Sequence, residues 1–164
     1  MPDDLSLVRQ AIGLAADRGA HGAAPFGAMI IVDGRVVGTG VNVSADEEDP
    51  TAHAEVEAIR DACRSLGVLR LDGSTLASSC EPCALCHAAA TLAGVDRILY
   101  AATRELATQT LGDADHPLGA LLVHMQNELR CLAGDRIVHV PTGDDRVPFD
   151  RYLQAKARVR CASA

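Results

Sequence analysis

Two short segments hold the residue types that bind metals and move protons. Thr51-Ala52-His53-Ala54-Glu55 supplies an imidazole and, two residues on, a carboxylate. Pro82-Cys83-Ala84-Leu85-Cys86 supplies two thiols three residues apart, a spacing that puts them on one side of a helix. Both segments are expected to begin helices, where unpaired N–H groups and the helix dipole favour negative charge. Thiols ionise more readily there, and thiolates are what zinc binds. Zinc takes four tetrahedral sulfur and nitrogen ligands in a closed structural site and three when a position is kept open. His53, Cys83 and Cys86 make three, leaving one place for a water whose pKa such a site brings to about 7. Glu55 then lies beside the open position as a proton carrier rather than a ligand.

Other readings of the same residues are weaker. Cys80, Cys83 and Cys86 begin like an iron–sulfur run, but that pattern wants a cysteine and then a proline where Ala90 and Thr91 stand. A redox Cys-x-x-Cys pair leaves His53 and Glu55 unexplained. Cys80 as a fourth ligand makes the zinc structural. His87 turns off the ligand side and is expected to be packed or solvent-facing, and Glu57 and Arg60 are expected to form a solvated helix face. Cys63, Cys131 and Cys161 are expected to be ordinary buried thiols.

The elements that position these residues follow from apolar periodicity and turn signals. Helices are expected from Leu5 to Arg18, from Asp49-Pro50-Thr51 to Leu66, from Cys83 to Ala93 behind Pro82, from Pro117 to Leu129 and from Val147 to Arg158. Strands are expected at Phe26–Val32 and Arg35–Val43 around an Asp33-Gly34 hairpin turn, and at Gly73–Ser79, Arg97–Ala101 and Arg136–Val140. Thr103 to His116 is too irregular to assign. Strands alternating with helices argue for an α/β fold, a mixed sheet with helices on both faces.

A chain of 164 residues, 48% hydrophobic and 23% charged, fits one globular domain, expected to span 1–164. No apolar run suggests a membrane span, and the acidic start Met1-Pro2-Asp3-Asp4 is unlike a signal peptide, so a cytoplasmic protein is expected. Fifteen basic against 22 acidic residues give a net charge of −7, and Lys156 is the one lysine. Without a basic cluster, a small ligand is expected rather than nucleic acid.

His-x-Glu followed, 28 residues after the Glu, by Pro-Cys-x-x-Cys is the signature of zinc deaminases. Through it the sequence resembles the cytidine deaminase superfamily of zinc hydrolases, and within that most resembles bacterial guanine deaminases. Pro25-Phe26-Gly27-Ala28, Asn42, the stretch from Asp49 to Glu55, Ser79-Cys80-Glu81-Pro82-Cys83 and Arg97-Ile98-Leu99-Tyr100-Ala101-Ala102 carry the likeness. It spans about Pro25 to Ala102 and fades beyond. The resemblance implies a three-layer α/β/α fold around a central five-stranded mixed sheet, a homodimer, and hydrolytic removal of an amino group from a heterocyclic base. It implies that Phe26 flanks the base, that Asn42 hydrogen-bonds it, and that the backbone near Ala54 holds its polar edge. It also implies an acidic residue gripping the exocyclic amine, with Asp113 and Asp115 near that place, and a C-terminal aromatic closing the pocket. The tail from Arg158 onward has no aromatic, so a looser pocket is expected.

The reading is therefore a zinc-dependent aminohydrolase acting on a small heterocyclic base, with guanine converted to xanthine and ammonia. Cytosine, a nucleoside or an aminotriazine is the alternative substrate with the same chemistry. tRNA adenosine editing shares the signature, but the acidic charge opposes it. A non-catalytic zinc-stabilised interaction domain is the alternative of another class, and the intact Glu55 opposes that.

Overall fold

The computed structural model describes residues 3–112 and 119–162. Helix α1 (Asp4–Ala20) is capped by Asp3, whose carboxylate accepts the Ser6 N–H at 2.7 Å. Strands β1 (Gly27–Val32) and β2 (Arg35–Val41) form the expected hairpin. Asp33 and Gly34 take φ of 50° and 75°, the left-handed pair that a two-residue hairpin turn requires. β2 stops short of the expected Val43 because Asn42 turns the chain, its Oδ1 accepting the Ser44 N–H at 3.2 Å. Helix α2 (Ala54–Leu66), strand β3 (Thr75–Cys80), helix α3 (Ala84–Leu92) and strand β4 (Arg97–Ala102) follow.

Helix α2 begins five residues later than expected. Asp49 Oδ1 accepts both the N–H and the hydroxyl of Thr51 at 2.7 Å, a local turn that competes with helix there. Pro82 likewise lies before α3 rather than at its first helical position, since Cys83 is the N-cap. The unassigned polar stretch contains helix α4 (Arg104–Leu111), capped by the Thr103 hydroxyl, which accepts from Leu106 N at 3.2 Å. Helix α5 (Gly119–Ala133), strand β5 (Ile137–His139) and helix α6 (Val147–Ala162) complete the described chain.

The five strands form one mixed sheet in the order β2-β1-β3-β4-β5, antiparallel through β3 and parallel from β3 to β5. Ala28, Ile30, Leu76 and Ile98 point to one face, which α2 and α3 cover. Met29, Ile31, Ala77 and Leu99 point to the other, which α1 covers, with α6 packed on α1. This is the expected three-layer arrangement. Among the described residues no helix is long and apolar enough to cross a membrane.

The free cysteines correct one expectation. Cys63 is half-buried, while Cys131 and Cys161 are exposed. Helix α5 buries only Gln126 among its own residues, and the far end of α6 is exposed, so neither helix offers a core around its cysteine.

The contact that seats α2 uses small residues on both sides. Ala54, Ala58 and Ala62 recur every four residues and lie on Gly38 and Gly40 of β2. A Cβ on Gly40 would lie 2.2 Å from the Ala54 carbonyl oxygen and 2.4 Å from Ala58 N. Gly40→Ala must therefore push α2 off the sheet, at a cost of about 1–3 kcal/mol. Gly13→Ala, at an exposed α1 position with open space around it, should instead gain up to about 1 kcal/mol. Denaturant midpoints of the two variants check this, and an unchanged midpoint for Gly40→Ala would refute the close packing.

Candidate active site

Two helix N-termini meet at the carboxyl end of β3. His53 is the N-cap of α2 and Cys83 the N-cap of α3, and neither side chain caps its own helix. Both are free to turn toward each other. Cys83 Sγ lies 3.5 Å from His53 Nδ1, Cys86 Sγ lies 3.6 Å from it, and the two sulfurs are 3.6 Å apart. Zinc–sulfur bonds of about 2.3 Å and a zinc–nitrogen bond of about 2.0 Å give tetrahedral edges of about 3.5–3.8 Å. The three atoms fit a zinc ion in both chemistry and spacing, and they are a metal-competent cluster among the described residues. Cys80 is not part of it. Its thiol packs with Ala102 and Phe149, and burial pushes its pKa up, so it is a poor ligand.

One of the two thiols is set to ionise first, and contact with it, together with burial, pushes the Cys86 thiol up. The contact with Cys86, together with His53, pulls the Cys83 thiol down to about 4. The Cys83 contact raises His53.

Glu55 is buried beside the triad. Its Oε2 lies 3.2 Å from Cys86 Sγ, and its Oε1 accepts the Ser78 hydroxyl at 2.9 Å. Burial is the main reason its carboxyl pKa is raised above the ordinary value. A carboxyl group with raised pKa, held in place and not needed as a ligand, suits proton transfer near neutral pH. Ser78 comes from β3 and is itself buried. The sequence reading missed it, although two serines in a buried strand are a sign that hydroxyls have partners there.

These side chains open into a pocket of about 940 Å³ that Phe26 and Asn42 also line. Phe26 meets the buried Phe149 edge-on, with centroids 6.0 Å apart. Asn42 is held by its backbone: its N–H donates to Phe26 O at 3.1 Å and its carbonyl accepts from Arg18 Nε at 3.2 Å. With Oδ1 taken by Ser44, its amide N–H groups remain for a ligand. Ala54 is buried beneath the site and its side chain belongs to the core, while its backbone opens α2 between His53 and Glu55.

Asp113 and Asp115 lie outside the described residues; the flanking Gly112 and Gly119 both line the pocket. Tyr152 of α6 lines it too, so a helix, not the tail, brings a late aromatic to the site. Arg104 and Gln126 are further lining residues that sequence reasoning did not single out. His87 is packed, as one of its two expectations had it: it is 3% exposed, and burial holds its pKa down. Glu57 and Arg60 pair with each other on the surface of α2, as expected of a helix face.

Comparison with known proteins agrees with this geometry. Residues 1–102 match the cytidine and deoxycytidylate deaminase zinc-binding region. The chain is 43% identical over 98 residues to the guanine deaminase of Bacillus subtilis, covering 59% of this chain and 63% of that protein. It is 37% identical over 102 residues to the tRNA-specific adenosine deaminase of Agrobacterium fabrum, covering 62% and 67%. The X-ray structure of the B. subtilis guanine deaminase superposes with a TM-score of 0.64 at 36% identity, covering 71% of this chain and 79% of that one. The chain thus spans under two thirds of the length of the first of these relatives.

Purified protein should carry about one zinc per chain. Cys83→Ala and Cys86→Ala should each lose it, as elemental analysis after dialysis would show. Stoichiometric zinc retained in both variants would refute the ligand set.

Proposed function

The chain belongs to the cytidine and deoxycytidylate deaminase zinc-binding family, and from that premise we propose that it is a zinc-dependent aminohydrolase of a free nucleobase, converting guanine to xanthine and ammonia. One observation carries the reading. Glu55, two residues past a zinc ligand, is buried at 3.2 Å from a second ligand and faces the pocket that Phe26 and Asn42 line. A zinc-stabilised interaction domain has no use for a buried carboxylate there, since burying a charge is costly without a task or a partner.

In this reading the base packs against Phe26, and the Asn42 amide donates to a ring acceptor. The Ala54 N–H, at the first helical position of α2 and without an intrahelical partner, holds the polar edge. Zinc held by His53, Cys83 and Cys86 supplies a water acidic enough to ionise near neutral pH. The reaction replaces the amino group of an amidine carbon by oxygen from water. Glu55 takes one proton from the water and delivers it to the adjacent ring nitrogen. It then carries the second proton, from the added hydroxyl, to the amine, which leaves as ammonia while the C=O bond forms. Ser78, donating to Oε1, keeps the other oxygen directed at the reacting atoms.

The substrate reading leans on the guanine deaminase likeness and on charge. tRNA-specific adenosine deaminases are similarly related, but a net charge of −7 with a single lysine suits a free base better than a polynucleotide. A homodimer is the assembly we place here. Leu85 and Leu92 of α3 and Leu121, Leu122 and Met125 of α5 are exposed on helices that pack on each other, an apolar surface that a second copy of the chain would bury. Light scattering that returned a monomer would remove this assembly.

Ammonia release should rank guanine above cytosine, adenine, their nucleosides, an aminotriazine and a tRNA anticodon stem. A different leader would overturn guanine and leave the zinc chemistry standing. Glu55→Gln should keep its zinc and lose about 10²–10⁴-fold in kcat. A zinc-loaded Glu55→Gln protein with near wild-type turnover would refute the catalytic assignment.

A further inference from the structure

We propose that Arg104, with Gln126 beside it, determines substrate specificity by reading an oxo group on the ring, on the side away from the amine; the inference rests on the guanine reading above. Arg104 opens α4, two residues beyond the end of β4, and lines the same pocket as Phe26, Asn42 and Glu55. It is held at two points. Glu81 Oε2 accepts its backbone N–H at 3.2 Å, and the Gln126 side-chain oxygen accepts from its Nη1. Glu81 in turn is fixed by Arg130, whose Nη1 donates to Oε1 at 3.0 Å.

The Glu81 carboxylate is thereby used up. Among the described residues no carboxylate pairs with the Arg104 guanidinium, which is half-buried in the pocket wall. Gln126 is 3% exposed and lines the pocket beside it. With its oxygen given to Arg104, it too has only N–H groups left to offer. The Arg104 and Gln126 side chains thus face the pocket with donors, and a buried donor left unmatched is costly. The substrate edge that fits these two side chains presents acceptors to them.

Guanine has such an edge. Its O6 and N7 are neighbouring acceptors, across the ring from the 2-amino group, and they are the pair that arginine takes bidentately. A ring with an amine in place of that oxygen turns N–H toward N–H and is rejected. Arg104 thus complements the metal end of the pocket: one end takes the amine, the other selects the oxo group.

Hypoxanthine and purine test this without turnover, since neither has an amine to lose and only hypoxanthine carries the 6-oxo group. Calorimetry on zinc-loaded wild type should show hypoxanthine binding at least about tenfold tighter than purine. Arg104→Ala should abolish that difference by weakening hypoxanthine alone, with zinc content unchanged. It should lower kcat/KM for guanine and leave that for 2-aminopurine, which lacks the oxo group, within about twofold. Arg104→Lys, which keeps the charge and loses the planar fork, serves if the alanine variant fails to fold and should lose most of the same discrimination. Equal weakening of both ligands, or no change, would overturn the inference alone. So would a guanosine monophosphate that binds more tightly than guanine only when Arg104 is present, because the group would then read phosphate. A wild type that binds neither purine and deaminates no guanine would overturn the guanine reading and this inference with it.

Discussion

Three ligating atoms from two different helices must meet within bonding reach of one ion, and that demand shapes the packing around them. The helices do not touch through large side chains. Helix α2 sits on β2 through Ala54, Ala58 and Ala62 against two glycines, and the buried side of α3 is Ala84, Cys86 and Ala90 with His87. Small residues on both contacts leave little slack, so helix positions are set by backbone rather than by adaptable side-chain tips. The strand between the helices sets their spacing, since β3 ends at Cys80 and Cys83 caps α3 three residues later. His53 and Cys83 forgo capping their own helices. Two helix termini lose a cap, and the metal site gains two ligands.

The same convergence explains how a buried carboxylate is tolerated. Glu55 sits in the first turn of α2, where the helix dipole favours its charge, and Ser78 donates to it. Burial still raises its pKa, and the charge on Cys83 works against its own, while the hydrogen bond from the Cys86 thiol favours it. A divalent cation at His53, Cys83 and Cys86 reverses that balance by placing positive charge beside three anionic groups. Metal binding and the stability of this end of the fold are therefore linked, as expected where the ligands must be deprotonated to bind.

How much of this was legible in the sequence divides by physical cause. His53, Glu55, Cys83 and Cys86 were readable because metal chemistry restricts residue type and local spacing, and both segments are local. The hairpin was readable because Asp33-Gly34 has one dominant backbone solution. The start of α2 was misplaced because Asp49 and Thr51 satisfy each other locally, a choice that periodicity does not reveal. Helix α4 escaped because none of its residues is fully buried, so it carries no strong apolar stripe. Ser78 reaches Glu55, and Arg104, Gln126 and Tyr152 reach the pocket, from four separate elements through tertiary contacts, and no short-range pattern brings such residues together.

This division has a functional counterpart. The metal-competent cluster and Glu55 come from the starts of α2 and α3, inside the stretch that matches the deaminase family. Much of the opposite wall comes from α4, α5 and α6, beyond residue 102. Phe26 belongs to both parts: it lines the pocket from the strand side and rests on Phe149 of α6. Ligand geometry tolerates errors of only tenths of an ångström, which ties α2 and α3 to the sheet. A wall that reads donors and acceptors needs only the right polar atoms at the right depth. Exchanging a polar group on α4 or α5 changes which ring edge is matched, and it leaves the backbone contacts that hold the metal end in place. In the proposed reading, reaction type and part of the substrate choice are carried by separate parts of one fold. On that reading the motif announces deamination, while the base is met by Phe26 and Asn42 from the matched stretch and by Arg104 and Gln126 from farther along the chain.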